Sequence, residues 1–409
     1  MKIHGTTTTR LLVGFAILGV TLSGCAASTP SATNTDTASA GAPDCIPGPP
    51  QDLPQDPDGV LESLPEIAID ALKGYGGTIF ASPWEDFAPS HAAPWTVGFS
   101  GNQANAQNIL MQDGVQEIID ANPTLFDAEI ISVTATPAND AASQIQGMQT
   151  LLQKGVDIII APLSSPTALN GVIDQAAEQG VPVISILGQS TSLNAVNVQP
   201  NPGQNGYYAA AGLLDQIGDT GTVLTVRSIP GLSIDTSIYD AAKRVFDACT
   251  GIETVGELTG YFNPAAAKTE TLKFLTTHPG TIDGAFNVAN MASGIISAFE
   301  QTGRPVPTVA DIGGNGAAMA YWRDHPDYNG VAVSLPTQGT ARFAMAIGLA
   351  MLEGRGLKTT EVAFSPTLIT SENFSEWIEA DWDETTNVQA EGPSSSIPID
   401  DLVDAFFLN

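Results

Sequence analysis

The sequence predicts an α/β protein built as two doubly wound parallel-sheet lobes joined by hinge crossovers. Three observations carry that prediction. Short β-branched apolar runs alternate with amphipathic helical stretches from Trp95 to Ile369, the connectors between them are short, and proline or glycine marks most junctions.

The clearest unit lies at residues 153–187. Val156-Asp157-Ile158-Ile159-Ile160 is β-branched at four of its five positions, as expected for a parallel strand buried on both faces. Ala161-Pro162 ends it, because proline has no N–H for a central ladder. After the polar turn 163–167, a helix over Ala168–Gln179 puts Leu169, Val172, Ile173 and Ala176 on one stripe, and Gly180 supplies a left-handed cap. Val181–Ile186 is the next parallel strand. The loop after the first strand of such a unit lies at the carboxyl end of the sheet, where open α/β folds hold ligands.

The other elements follow in order. Thr96–Ser100 is a strand, followed by the loop Gly101–Asn105 and a helix whose apolar positions are Ile109, Leu110, Val115, Ile118 and Ile119. Glu129–Thr134 is a strand, Ala138–Lys154 a helix, and Asn194–Val198 a strand that ends near Pro200. A second series opens with a helix at Gly206–Ile217. Its strands are Thr222–Val226, Ile252–Leu258, Ile282–Phe286, Val306–Ile312 and Gly330–Leu335, with helices at Asp235–Ala248, Ala265–Thr277, Met291–Thr302 and after the Gly313–Gly316 loop. A helix at Thr337–Glu353 and a last strand at Val362–Ile369 complete the pattern. Crossovers near Pro200, Leu335-Pro336 and Pro366 read as hinges, which makes one lobe 95–200 plus 335–363 and the other 201–334 plus 364–409. The C-terminal stretch from 371, with its acidic segment Glu376–Glu384 and amphipathic Leu402–Leu408, is expected to pack on the second lobe.

The N-terminus suggests export. Lys2, Arg10 and the apolar run Leu11–Val20 form a signal peptide, residues 1–24, too short to span a bilayer comfortably. Leu22-Ser23-Gly24-Cys25-Ala26 resembles the bacterial lipobox, which makes Cys25 the lipidated residue; an ordinary signal sequence with a chance cysteine is the alternative. Residues 25–45 read as a flexible, lipid-anchored tether. Residues 46–94, rich in Pro and Asp, form an N-terminal extension with a short helix over Leu61–Leu72; the aromatics Trp84, Phe87 and Trp95 are expected to pack it onto a domain, an aromatic lid being the alternative. Cys45 and Cys249 are candidates to pair in an oxidising compartment; two separate thiols, with Cys249 buried in a helix, is the alternative. A net charge of −30 with 14 Lys plus Arg argues against nucleic acid and against docking on anionic lipid headgroups.

Several segments match in order and spacing a known pattern: QKGVDIIIAPLSSPTAL with AAEQGVPVISIL, Phe274–Pro279, Asn287–Gly294, and Ser334-Leu335-Pro336-Thr337-Gln338 followed by Leu352-Glu353-Gly354-Arg355. From Trp95 to about Thr370 the chain resembles the type I periplasmic solute-binding proteins of ABC transporters, in the ribose-binding branch and in lipoprotein form. The resemblance implies a monomer on the outer face of the bacterial cell membrane that captures a small polar ligand, a sugar or polyol, between its lobes. Hinge closure would follow, then delivery to a permease driven by an ATPase, with no bond broken, no cofactor, no metal and no nucleic acid. Transcription regulators share the fold but carry a DNA-binding helix-turn-helix where this chain has its lipobox.

Loops at the carboxyl strand ends supply the ligand candidates. In the first lobe these are Asn102, Asn105, Gln107 and Asn108, with Ser164 and Gln189 on later loops. In the second they are Ser233, Asp235, Thr236, Phe262, Asn287, Asn290, Asn315 and Ser334. An Asn amide presents donor and acceptor side by side and matches vicinal hydroxyls, although Asn also caps helices. Phe262 falls where the family places an aromatic on a sugar ring, and lobe packing would explain it equally. The departures are Leu187-Gly188-Gln189 where many pyranose binders carry Asp-Arg, Thr236 in place of a second-lobe arginine, and Gln107-Asn108 in place of two aromatics. A sensor subunit presenting its ligand to a membrane receptor has the same sequence features. An exported hydrolase is the remaining reading; no GxSxG, HExxH or CxxC spacing occurs.

Overall fold

The computed structural model describes residues 43–393 and 396–408; the predicted signal peptide, Cys25 and most of the tether lie outside these residues. The extension opens with a 3-10 turn at Val60–Ser63 and continues to α1 (Glu66–Leu72). The single helix expected over Leu61–Leu72 is divided at Leu64-Pro65, where a proline N–H is missing and the chain is extended. Val60, Leu64, Ala68, Leu72, Ile79 and Trp84 are buried in the first lobe's core.

The first series runs β1 (Val97–Gly101), α2 (Ala106–Ala121), β2 (Ile131–Thr134), α3 (Ala141–Gln153), β3 (Ile158–Ala161), α4 (Asn170–Glu178), β4 (Val183–Ile186) and β5 (Ala195–Pro200). The β3 strand shows why these runs fold as central strands. Ile158 and Ile160 face a core shared with Phe99 and Ile184, whereas Ile159 and Ala161 face the opposite core with Leu151 and Ile173. Both faces are covered, so every position is apolar.

The second series runs α5 (Pro202–Ile217), β6 (Thr220–Arg227), α6 (Ser233–Ala248), β7 (Gly251–Thr259), α7 (Pro264–Thr277), β8 (Gly284–Asn287), α8 (Ala292–Thr302), β9 (Thr308–Ile312), α9 (Gly316–Asp324) and β10 (Val331–Val333). Then come α10 (Thr337–Leu352), β11 (Glu361–Phe364), β12 (Leu368–Ile369) and α11 (Ile399–Phe406). The strands form two six-stranded sheets, ordered β11-β5-β4-β3-β1-β2 and β12-β10-β9-β8-β6-β7. All pairs are parallel except β12 on β10. The strand expected over Val362–Ile369 is two strands, one in each sheet, because Pro366 cannot continue a ladder.

Three short crossovers join the sheets: Asn201 between β5 and α5, Ser334–Pro336 between β10 and α10, and 365–367 between β11 and β12. Each leaves the carboxyl end of a strand. That connectivity brings the carboxyl ends of both sheets to the junction of the lobes.

The C-terminal stretch divides between the lobes, which corrects the expectation that all of it packs on the second. Phe374, Trp377, Ile378 and Trp382 join Met319 and Trp322 there. In contrast, Leu402, Val403, Ala405 and Phe406 of α11 sit in the first-lobe core with Leu72 and Phe364. The apolar stripe of α11 is the complement of α1 and α10, and burial against them decides its place.

Candidate functional site

The first-lobe side of the junction is built by interlocked amides. Asn105 caps α2, its Oδ1 accepting from the Asn108 backbone N–H at 3.0 Å. The Asn108 side-chain amide donates to Asn102 Oδ1 at 3.1 Å and to Asn105 Oδ1 at 3.2 Å. Gln107 is half-buried beside them. Gly101 is needed for this approach, since a Cβ there would lie 2.7 Å from Asn108 Oδ1. Gln144, reaching in from α3, joins two strand ends: it donates to the carbonyls of Ser100 and Pro162 and accepts from the Ser164 N–H at 2.8 Å.

Three buried polar atoms of this wall have no hydrogen-bond partner among the described residues, Ser100 Oγ, Asn108 Oδ1 and Ser164 Oγ. A buried polar atom left unpaired costs about 1–3 kcal/mol.

After β4 the wall changes character. Leu187 takes a left-handed φ of 53°, a conformation that side chains with a Cβ avoid, and packs against the cores of both lobes. Gln189, a ligand candidate from sequence, is turned inward instead. Its amide donates to the Tyr75 hydroxyl at 2.7 Å and to Glu361 at 3.3 Å. Tyr75 donates to Glu361 at 2.6 Å and also accepts from Gln199, and the other Glu361 oxygen accepts from Asn197 at 2.6 Å. Burial pushes the Glu361 carboxyl up to about 7, against the lowering effect of its bonds from Tyr75, Asn197 and Gln189. Tyr75 is itself raised well above the usual phenol range, first by burial and then by Glu361.

On the second lobe, Asp235 is not available to a ligand. Its carboxylate is fully buried and accepts from Arg227 Nε at 2.9 Å and from the Ser228 N–H and hydroxyl, both at 2.8 Å. The pair stabilises the β6–α6 loop, and Arg227 also lies over the Tyr239 ring. Ser233 and Thr236 are exposed on the first turn of α6. Asn287 is also withdrawn: fully buried, it donates to the Ala310 carbonyl and accepts from the Met291 N–H, both at 3.1 Å. Ser334 fixes a crossover, its Oγ accepting from the Thr367 N–H at 2.7 Å. These three polar side chains are used to hold the backbone where it leaves its sheet.

Asn290 and Asn315 are brought together, the Asn315 amide donating to Asn290 Oδ1 at 2.8 Å while Asn315 Oδ1 caps α9. Beneath them Asp311, raised by burial to about 6, accepts from the Asn315 N–H at 2.7 Å and keeps Oδ1 unpartnered. Tyr261 and Phe262 both take left-handed φ, 57° and 54°. That paired turn directs Phe262 against the second-lobe core and leaves Tyr261 60% exposed, so Tyr261 is the aromatic presented outward. His278 and His325 close α7 and α9, stacked on Phe274 and Tyr321.

Sequence reading missed Tyr75, Gln144, Glu361 and Arg227. Gln144 alone carried a signal, as a polar residue on the helical stripe with Met148, Leu151 and Leu152. Tyr75 and Glu361 lie in poorly patterned or edge segments, where nothing local marks a partner.

Two parallel-dominated sheets that meet at their carboxyl ends through three crossovers define a two-lobed α/β protein. Residues 95–356 match the periplasmic binding protein domain family, and the chain belongs to that family. The ribose import binding protein RbsB of Bacillus subtilis is 24% identical over 188 residues, covering 46% of this chain and 60% of its own length. The xylitol-binding protein of Mycolicibacterium smegmatis is 22% identical over 245 residues, covering 59% of this chain and 69% of its own. The crystal structure of an ABC transporter solute binding protein from Thermobispora bispora superposes with a TM-score of 0.63 at 25% identity, covering 76% of this chain and 94% of that one. These are solute-binding proteins, not enzymes. Among the described residues no helix is long and apolar enough to cross a membrane.

Proposed function

We propose that the chain is the lipid-anchored, extracytoplasmic solute-binding component of an ABC importer. It takes a small uncharged polar ligand, a sugar or polyol, between its lobes and delivers it to a permease. The lobe limits are those read from sequence, save that α11 belongs with the first. Closure over the ligand is favoured because each lobe supplies part of the contact set. The observation that carries the reading is the first-lobe wall, where the amides of Asn102, Asn105 and Asn108 gather at the carboxyl end of β1. Such groups match hydroxyls in pairs. Near the junction Asp235 is paired with Arg227, Glu361 is held by Tyr75, and Asp311 is buried beneath Asn315, which favours a neutral ligand. The names of the curated relatives, one for ribose and one for xylitol, agree with this class.

A thermal-shift panel of pentoses, hexoses, acyclic polyols, inositols, nucleosides and amino acids tests it. A ligand that binds the folded state alone raises Tm by mass action. A sugar or polyol hit that Asn108→Ala removes supports the reading. A hit confined to amino acids or nucleosides replaces the ligand class.

A further inference from the structure

Residues 43–94 precede the family-matched span 95–356, yet they are fastened to both lobes. On the second lobe Cys45 is disulfide-bonded to Cys249 at the end of α6. Ile46 packs on the same core, and the Pro47 carbonyl accepts from the Tyr207 hydroxyl of α5 at 2.8 Å. On the first lobe the hold begins at Asp52, whose carbonyl accepts from the Gly74 N–H at 2.7 Å. Gln55 is bridged to Gly77 and Ile79, and Val60, Leu64, Ala68, Leu72 and Tyr75 are buried in the core.

The segment also runs against a crossover. The Asn201 amide donates to the carbonyls of Ala71 and Lys73 at 2.8 and 2.9 Å, and the Gln204 amide to those of Asp70 and Lys73 at 2.8 and 3.0 Å. Gly203 permits this contact, since a Cβ there would lie 1.8 Å from the Gly74 carbonyl oxygen.

Between the two anchorages stand Gly48–Gln51. Five peptide units from Pro47 to Asp52 reach at most about 17 Å, and Pro47, Pro49 and Pro50 leave little slack. Any swing that carries the anchorages beyond that reach is opposed by a covalent bond on one side and a buried core on the other. We propose that residues 45–75 are a strap that bounds how far the lobes swing apart, and so sets the width of the unliganded cleft. This rests on the hinged closure described above. Restricting the open ensemble raises the fraction of molecules near the binding-competent form, and apparent affinity rises with that fraction.

The test is the inter-lobe distance distribution of the unliganded chain, by pulsed electron spin resonance. Labels go on exposed Gln146 of α3 and Thr276 of α7 as non-cysteine residues, leaving the native disulfide intact. Cys45→Ser with Cys249→Ser is expected to broaden the distribution toward longer distances, with helix content unchanged by circular dichroism. Should that variant fold poorly, a Gly-Ser-Gly-Ser insertion after the exposed Gly48 lengthens the strap without touching either anchorage, and the same broadening is expected. Distributions that are equally broad with the strap intact, cut or lengthened overturn the strap and leave the hinge standing. Equally narrow ones overturn both.

Discussion

The Tyr75 hydroxyl donates to the Glu361 carboxylate across 2.6 Å, although 286 positions separate the two residues in the chain. One comes from the N-terminal extension and the other from the edge strand β11. Together with Gln189 they tie the loop after β4 to the extension.

That contact has a pH signature. Burial pushes Glu361 up to about 7 and Asp311 up to about 6, whereas both titrate near 4 when unfolded. Between those values the folded chain binds more protons than the unfolded one, so stability falls as pH rises from about 4 to about 7. The urea midpoint is expected to be higher near pH 5 than near pH 7.5, and Glu361→Gln should shrink the difference. Identical pH slopes in wild type and variant would exclude Glu361 as a source.

Asp235 is expected to matter for folding rather than for ligand. Asp235→Ala leaves the Arg227 guanidinium, 14% exposed, with the Tyr239 ring and one long carboxylate contact, to Glu257 at 3.4 Å. Breaking one half of a buried pair costs about 3–5 kcal/mol. Chemical denaturation measures this, and a change under about 1 kcal/mol would mean the loop re-forms without the pair.

Two glycines should respond with opposite signs. Gly206 lets α5 lie against α6, because a Cβ there would stand 2.0 Å from the Ile238 carbonyl oxygen. Gly206→Ala should destabilise by about 1–3 kcal/mol, as overpacking does. Gly171, in α4, has nothing within 4 Å of a Cβ, and Gly171→Ala should gain roughly 0.5–1 kcal/mol of helix propensity. A thermal melt of each gives the sign directly.

The disulfide closes a sequence separation of 204 residues. On the chain-entropy account a loop of that size is worth about 5 kcal/mol, a figure that native strain or unfolded-state structure reduces. Reduction should lower Tm clearly while leaving the secondary structure intact at room temperature; an unchanged Tm would show that the extension holds without its covalent bond.

Much of the fold was legible because its determinants are local. The β3-α4-β4 unit follows from four β-branched residues, one helical stripe and a capping glycine, each acting within a few positions. Asn105 as the cap of α2 and Asn315 as the cap of α9 follow from the same short-range logic. The candidate site was legible in part, since the carboxyl-end rule names the loops but not which side chains stay free in them. Asp235, Asn287 and Ser334 stand on the right loops and are consumed by backbone groups.

By itself the sequence determined the alternation of strand and helix, the two parallel sheets and the places where the chain crosses between them, because burial period and proline placement are written residue by residue. Tertiary structure alone decided that α11 returns to the first lobe, that Gln189 turns away from the junction toward Tyr75, and that Tyr261 rather than Phe262 faces outward. Each of those outcomes depends on a partner remote in sequence, or on a left-handed backbone pair whose local cost is met by packing. No window of neighbouring residues contains that information.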